Sequence, residues 1–118
     1  MAVAKRAIAC DMTVRYQGPR RKAGAAWAYH EDVLSLARES DCLVITCPLV
    51  PATRNLVDAE AFQCMKKGAK LINIGRGEVL DDTALLEGLR SGHIGGAGLD
   101  AHSEEPLPPT SPLWSMPN

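Results

Sequence analysis

Apolar and polar positions change their period several times along this chain, and each change marks an element. Ala2 to Cys10 (AVAKRAIAC) is rich in alanine, the strongest helix former, and reads as the last turns of a helix. Thr13-Val14-Arg15-Tyr16 is a short β-prone run, closed by the turn residues Gly18 and Pro19. Between Tyr29 and Ser40, Val33, Leu34, Leu36 and Ala37 stand among Glu31, Asp32, Arg38 and Glu39, a spacing that predicts a short amphipathic helix. Leu43-Val44-Ile45-Thr46 is nearly all apolar, as a strand covered on both faces should be, and Pro48 and Pro51 stop it. A second helix is predicted from Asp58 to Lys66, with Asp58 as N-cap and Lys66, Lys67 and Gly68 at its exit. Lys70 to Ile74 is a second buried strand, ending at Gly75-Arg76-Gly77. Asp81 or Asp82 caps a helix through Leu85, Leu86 and Leu89, which Gly92 ends. Gly95 to Leu99 is a third strand, thinned by glycine. From His102 onward the prolines at 106, 108, 109, 112 and 117 keep the chain irregular.

Strand, helix, strand, helix, strand in alternation implies crossover connections and a parallel sheet, the α/β doubly wound class. Ligands of such sheets lie beyond the carboxyl ends of the strands. Those ends are Tyr16 to Arg21, Thr46 to Thr53, Gly75 to Gly77, and Asp100 to Glu105. The residues of unusual chemistry in this chain fall in those four places.

Composition narrows the function classes. A chain of 118 residues suits one domain, and 46% hydrophobic content is enough for a packed core. A net charge of -1 and a pI near 6.3 argue against a broad nucleic-acid or anionic-membrane surface. No apolar run approaches the roughly 20 residues of a membrane span. The opening MAVAKRAIAC is too short and too interrupted by charge for a secretory signal, so a soluble, cytoplasmic protein is expected. Cys10, Cys42, Cys47 and Cys64 lack zinc-knuckle or thioredoxin-like spacing, and neither metal nor a disulfide framework is expected. Cys10, Cys42 and Cys64 read as small hydrophobic filler, while contact and packing are equally open for Cys47.

Four segments in order carry a resemblance. CPLVPATRNLV (Cys47 to Val57), GAKLINIGRGEVLDDTALLEGLRSG (Gly68 to Gly92), GGAGLDAHSEEPLP (Gly95 to Pro108) and SPLWSMPN (Ser111 to Asn118) are similar to consecutive parts of the D-2-hydroxyacid dehydrogenases. The match runs essentially end to end, and several ordered motifs at family spacing are a far stronger signal than one glycine motif. The resemblance implies that residues 1–118 are a partial NAD(P)-binding domain of Rossmann type. It would lack the first strand with its glycine-rich phosphate loop, the final strand, and the substrate domain. Two neighbouring strands, both apolar, would then show open ladder edges.

Site residues follow from the same resemblance. Arg76 is the arginine that grips the substrate carboxylate and carbonyl, a task suited to a planar guanidinium with parallel donors. Glu105, the acid immediately before proline, is the glutamate that hydrogen-bonds the catalytic histidine and favours its protonated form; Glu104 reads as a solvated loop acid. Asp100 accepts from the nicotinamide carboxamide. Cys47, Pro48 and Thr53 line the nicotinamide side, together with Ile74, Gly75 and Arg76. Gly75 and Gly77 would let backbone pass close to the nicotinamide. The family's histidine follows the stretch present here, so His30, His93 and His102 do not match it. His102 reads as packing, and His93 as a routine placement near a helix C-terminus.

Cofactor choice turns on the segment after Tyr16. An NAD-specific domain usually carries a carboxylate at the end of its second strand, where this chain has Gln17 and Gly18, followed by Arg20, Arg21 and Lys22. Guanidiniums without a carboxylate suit a 2′-phosphate, so of NADP and NAD the former is favoured, with Gly18, Arg20 and Arg21 at the phosphate. The function expected is hydride transfer between NAD(P)H and a small 2-oxo or 2-hydroxy acid such as glyoxylate or hydroxypyruvate. The parent enzyme is expected to be a homodimer without nucleic-acid or membrane partners, and the chain alone to lack turnover. The alternatives are a non-catalytic dinucleotide-sensing or co-repressor relative, and a degenerate truncated remnant.

Overall fold

Helix α1 (Ala2–Ala9) opens the chain in the computed structural model, which describes residues 2–118. The reading that places Met1 inside this helix lies outside the described residues. α1 stops where Asp11 takes a left-handed φ of 58° and the Met12 N–H returns 3.0 Å to the Ala7 carbonyl. None of its residues is buried.

Strands β1 (Arg15–Gln17) and β2 (Ala28–His30) pair in parallel, with Tyr16 beside Tyr29. β1 therefore lies toward the C-terminal side of the expected Thr13–Tyr16 run. β2 corrects the helix expected from Tyr29: Tyr29 and His30 are strand, and helix α2 covers only Val33–Glu39. The reason is the cap. Asp32 sits in extended backbone and accepts the Ser35 N–H at 2.7 Å, which fixes the first helical turn after it. A three-residue strand is too short to announce itself by alternation.

The same hydrogen bond from the Ser35 N–H, aided by the Ser35 hydroxyl and Arg38, holds the Asp32 carboxyl below its ordinary value. A lowered folded-state value means that its contribution is complete above the unfolded-state value and lost as pH falls through the folded one. Asp32→Asn should thus cost stability at neutral pH and very little in acid. Urea unfolding at a series of pH values checks this; a pH-independent difference refutes it.

The remaining elements are β3 (Cys42–Ile45), α3 (Ala59–Cys64), β4 (Ala69–Asn73), α4 (Asp82–Arg90) and β5 (Ile94–Leu99). Asp58 caps α3 through the Ala61 N–H at 3.0 Å. Asp81, rather than Asp82, caps α4 through the Ala84 N–H at 2.9 Å. Gly92 leaves α4 with a φ of +70°, which no side chain adopts without strain. β3, β4 and β5 form one parallel sheet in that order, with Leu43 beside Leu71 and Leu71 beside Ala97.

Helix α2 packs on α3, α3 on α4, and α4 on β5. Leu43, Ile45, Leu71 and Ile94 meet Ala37, Ala61, Phe62, Leu85 and Leu89 in one buried core. The opposite face is only partly covered by the described residues: Val44 is half-buried and Ile72 is 37% exposed. The expectation of a strand covered on both faces is corrected accordingly. β1 and β2 make a separate sheet, linked to the larger unit by α2 and by an Arg15–Glu39 ion pair at 2.7 Å. Among the described residues β1 pairs only with β2, and β3 only with β4, so one ladder edge of each stays open.

Candidate active site

Three strand ends converge on Arg76. β4 ends at Asn73, whose side chain is fully buried although both neighbours in sequence, Ile72 and Ile74, face outward. Its Oδ1 accepts the Gly75 N–H at 2.9 Å, and its Nδ2 donates to the Arg76 carbonyl at 3.0 Å. One amide thus satisfies both sides of the Gly75-Arg76-Gly77 turn and presents the Arg76 side chain to solvent. The guanidinium rests on the Gly75 carbonyl at 2.9 Å through Nη1.

Each glycine flanking Arg76 is bare because another loop passes over it. A Cβ on Gly75 would lie 2.8 Å from the Cys47 carbonyl oxygen, in the loop that leaves β3. A Cβ on Gly77 would overlap the His102 carbonyl carbon and the Ser103 nitrogen, in the loop that leaves β5. On the side where a Cβ would stand, both glycines are met by the protein's own backbone. The result joins the β3, β4 and β5 loops around one arginine.

Side chains then lock each loop. The Thr53 hydroxyl donates to the Pro48 carbonyl at 2.7 Å and accepts the Val50 N–H at 2.9 Å, curling Pro48 to Thr53 into a compact bend. The Asp100 N–H donates to the Asn73 carbonyl at 2.9 Å, and the exposed Asp100 side chain stands where β5 ends. Glu105 Oε1 accepts the His102 N–H at 3.0 Å, and the Ser103 hydroxyl donates to the Asp82 carboxylate at the start of α4. Thr46 and Cys47 follow β3 directly, with Cys47 half-buried and Pro48 exposed.

Residues 1–118 match the family described as D-isomer specific 2-hydroxyacid dehydrogenase, NAD binding domain. The chain belongs to that family. It is 47% identical over 122 residues to glyoxylate/hydroxypyruvate reductase B of Pectobacterium carotovorum, covering all of this chain and 38% of that protein. A D-isomer specific 2-hydroxyacid dehydrogenase structure from Xanthobacter autotrophicus superposes with a TM-score of 0.91 at 39% identity, over 98% of this chain and 39% of that one. The NADPH-dependent glyoxylate/hydroxypyruvate reductase of Sinorhizobium meliloti, solved with NADP and malonate, gives 0.89 at 32% identity, over 92% and 34%. The chain thus spans well under half the length of these relatives.

In this dehydrogenase domain the second cluster of chemistry lies at the end of β1. Gln17 and Gly18 are half-buried, and Arg20, Arg21 and Lys22 follow in an exposed turn. A cation-rich turn with no carboxylate at the strand end fits a 2′-phosphate better than a ribose diol. The expected site residues thus divide into Gly18, Arg20 and Arg21 on the small sheet, and Cys47, Pro48, Thr53, Ile74, Gly75, Arg76, Asp100 and Glu105 on the large one.

Asn73 was the residue that sequence reasoning passed over; its signal was one amide in the otherwise apolar run Leu71-Ile72-Asn73-Ile74. A cavity of about 270 Å³ also lies between α4 and the 102–113 segment, walled by Leu85, Leu99, Leu107 and Leu113. Neither Arg76 nor Glu105 is among the residues that line it.

The remaining candidates have structural partners. His30 Nδ1 lies 3.2 Å from the Ser35 hydroxyl, at the end of β2 and not at a helix start. His93 Nε2 lies 3.0 Å from the Phe62 carbonyl near the end of α3, a second partner for an oxygen that also accepts the Met65 N–H at 3.2 Å. Cys10 is exposed, which corrects its reading as filler, whereas burial raises the Cys42 and Cys47 thiols above their ordinary values. Half-buried, neutral thiols suit packing beside β3.

Proposed function

We propose that this chain is the cofactor-binding part of an NADPH-dependent reductase of small 2-oxo acids, with glyoxylate and hydroxypyruvate as its substrate class. The observation that carries the reading is the convergence of three strand-end loops on Arg76, through Cys47 at Gly75 and His102–Ser103 at Gly77. A cofactor bound along these strand ends would supply the hydride. Cys47, Pro48, Thr53, Ile74, Gly75 and Asp100 would hold its nicotinamide end, and Gly18, Arg20 and Arg21 its 2′-phosphate.

Arg76 would receive the substrate. Its single bond to the Gly75 carbonyl leaves most of its donors for a carboxylate and an adjacent carbonyl. Glu105 spends Oε1 on the His102 N–H, which keeps Oε2 for an imidazole supplied from outside these residues. A carboxylate so placed favours the imidazolium that must protonate the forming alkoxide. The intact enzyme is read as a cytoplasmic homodimer acting on small acids, with no nucleic-acid or membrane partner. The net charge of -1 supports only the lack of a nucleic-acid or anionic-membrane surface on this part, and among the described residues no helix is long and apolar enough to cross a membrane.

The test uses the full-length polypeptide that carries residues 1–118. It should reduce glyoxylate or hydroxypyruvate with a higher kcat/KM for NADPH than for NADH. Arg76→Lys should lower kcat/KM by roughly tenfold to hundredfold, since losing a paired contact to a charged group costs about 1.5–3 kcal/mol. Absence of turnover with any 2-oxo acid overturns the proposal; an unaltered kcat/KM in Arg76→Lys makes that residue a bystander.

A further inference from the structure

Two tyrosines hold the basic turn from both ends. Tyr16 of β1 and Tyr29 of β2 are partners in the parallel register, and their rings meet in a tilted contact, centroids 5.4 Å apart and planes at 55°. The Tyr29 hydroxyl donates to the Gly18 carbonyl at 3.1 Å, and the Tyr16 hydroxyl accepts the Lys22 N–H at 2.9 Å. Gly18 and Lys22 are the two shoulders of the turn, and Pro19, Arg20 and Arg21 lie between them. The turn is thereby folded back over the tyrosine pair, its shoulders pinned and its two guanidiniums outward.

We propose that Tyr16 and Tyr29 are specificity-determining residues that act through Arg20 and Arg21, by presetting the turn for a 2′-phosphate. This rests on the NADP reading above. The geometry sets out why. A turn of this length and exposure would otherwise sample many conformers, and a phosphate that must order it binds more weakly. Pro19 restricts one further backbone angle within the span. The tyrosine hydroxyls touch only backbone of the turn in these bonds, so their influence on ligand binding runs through loop shape and not through charge. A ligand without a 2′-phosphate gains nothing from that shape.

The experiment is calorimetric binding of 2′,5′-ADP and of 5′-AMP to the full-length protein and its variants. The unaltered protein should bind 2′,5′-ADP more tightly than 5′-AMP. Tyr29→Phe, which keeps the ring and removes one hydrogen bond, should weaken 2′,5′-ADP by about threefold to tenfold and leave 5′-AMP within about twofold. Tyr16→Phe should behave alike. In a background of Arg20→Ala with Arg21→Ala, Tyr29→Phe should have no further effect, since the groups it positions are gone.

Equal binding of both nucleotides by the unaltered protein overturns the NADP reading and the proposal with it. A clear preference that both Phe variants leave intact overturns the tyrosine proposal alone. So does a Tyr29→Phe effect of equal size on both nucleotides, which would mark a packing role, or one that persists without the arginines.

Discussion

Gly77→Ala should destabilise the protein by about 3 kcal/mol, the upper end of what an extra buried methyl costs. The methyl would occupy the same space as the His102 carbonyl carbon and the Ser103 nitrogen, which are backbone and cannot rotate away. The passing loop is also tethered nearby, by buried Ala101 before it and by the Ser103–Asp82 and Glu105–His102 hydrogen bonds after it. Either the sheet opens or the loop lifts, and the second outcome shifts Glu105, which is held through the His102 N–H. The loss of kcat/KM in the full-length enzyme should therefore exceed what the lowered stability explains at a temperature where it remains folded. Gly18→Ala is the control: nothing lies within 4 Å of its added Cβ, and its stability should stay within about 0.5 kcal/mol of the parent. Urea midpoints of the two variants decide the matter. Equal midpoints would mean that the crossing at Gly77 yields easily.

Asn73→Leu should cost about 1–3 kcal/mol, because it keeps the heavy-atom branching but leaves the Gly75 N–H without its acceptor and the Arg76 carbonyl with the Val79 N–H alone. Asn73→Asp separates the two bonds. Its carboxylate can still accept from Gly75, but when ionised it cannot donate to Arg76, and it is buried. Burial raises the folded-state pKa of such an acid, so its penalty is absent below the unfolded-state value and grows as pH rises toward the folded one. Asn73→Asp should approach the parent near pH 4 and fall well below it near pH 7, while Asn73→Leu keeps a constant deficit. Parallel pH dependences for the two variants would show that the donation to Arg76 contributes little.

The larger elements were legible because their signals were redundant. β3 and β4 carry apolar runs, α3 and α4 carry an aspartate at the N-cap, and a helix end coincides with Gly92. β2 was not legible. Ala28–His30 is three residues long, is only half-buried, and adjoins a true amphipathic helix whose pattern absorbs it. The site was legible as a set of strand ends, since a parallel sheet sends its loops to one edge. What could not be read was which loop touches which. Gly75 and Gly77 signal close approach, but only the fold tells that Cys47 and His102–Ser103 are what approaches. The role of Asn73 likewise depends on an inward direction at the end of β4, which the outward-facing Ile72 and Ile74 on either side fix.

No described residue before Ala37 is buried, whereas nearly all of the core belongs to the β3–β5 unit. Evolvability differs between the two parts as a result. Substitutions on the tyrosine-pinned turn and its small sheet disturb little packing, so, if that turn selects the dinucleotide as proposed, a lineage can revise the preference at small cost to folding. Substitutions around Arg76 strike interlocked backbone and a buried amide, where few alternatives survive. Under the proposed function, preference at the adenosine end is free to drift, and the chemistry end is held in place by the mechanics of its own loops.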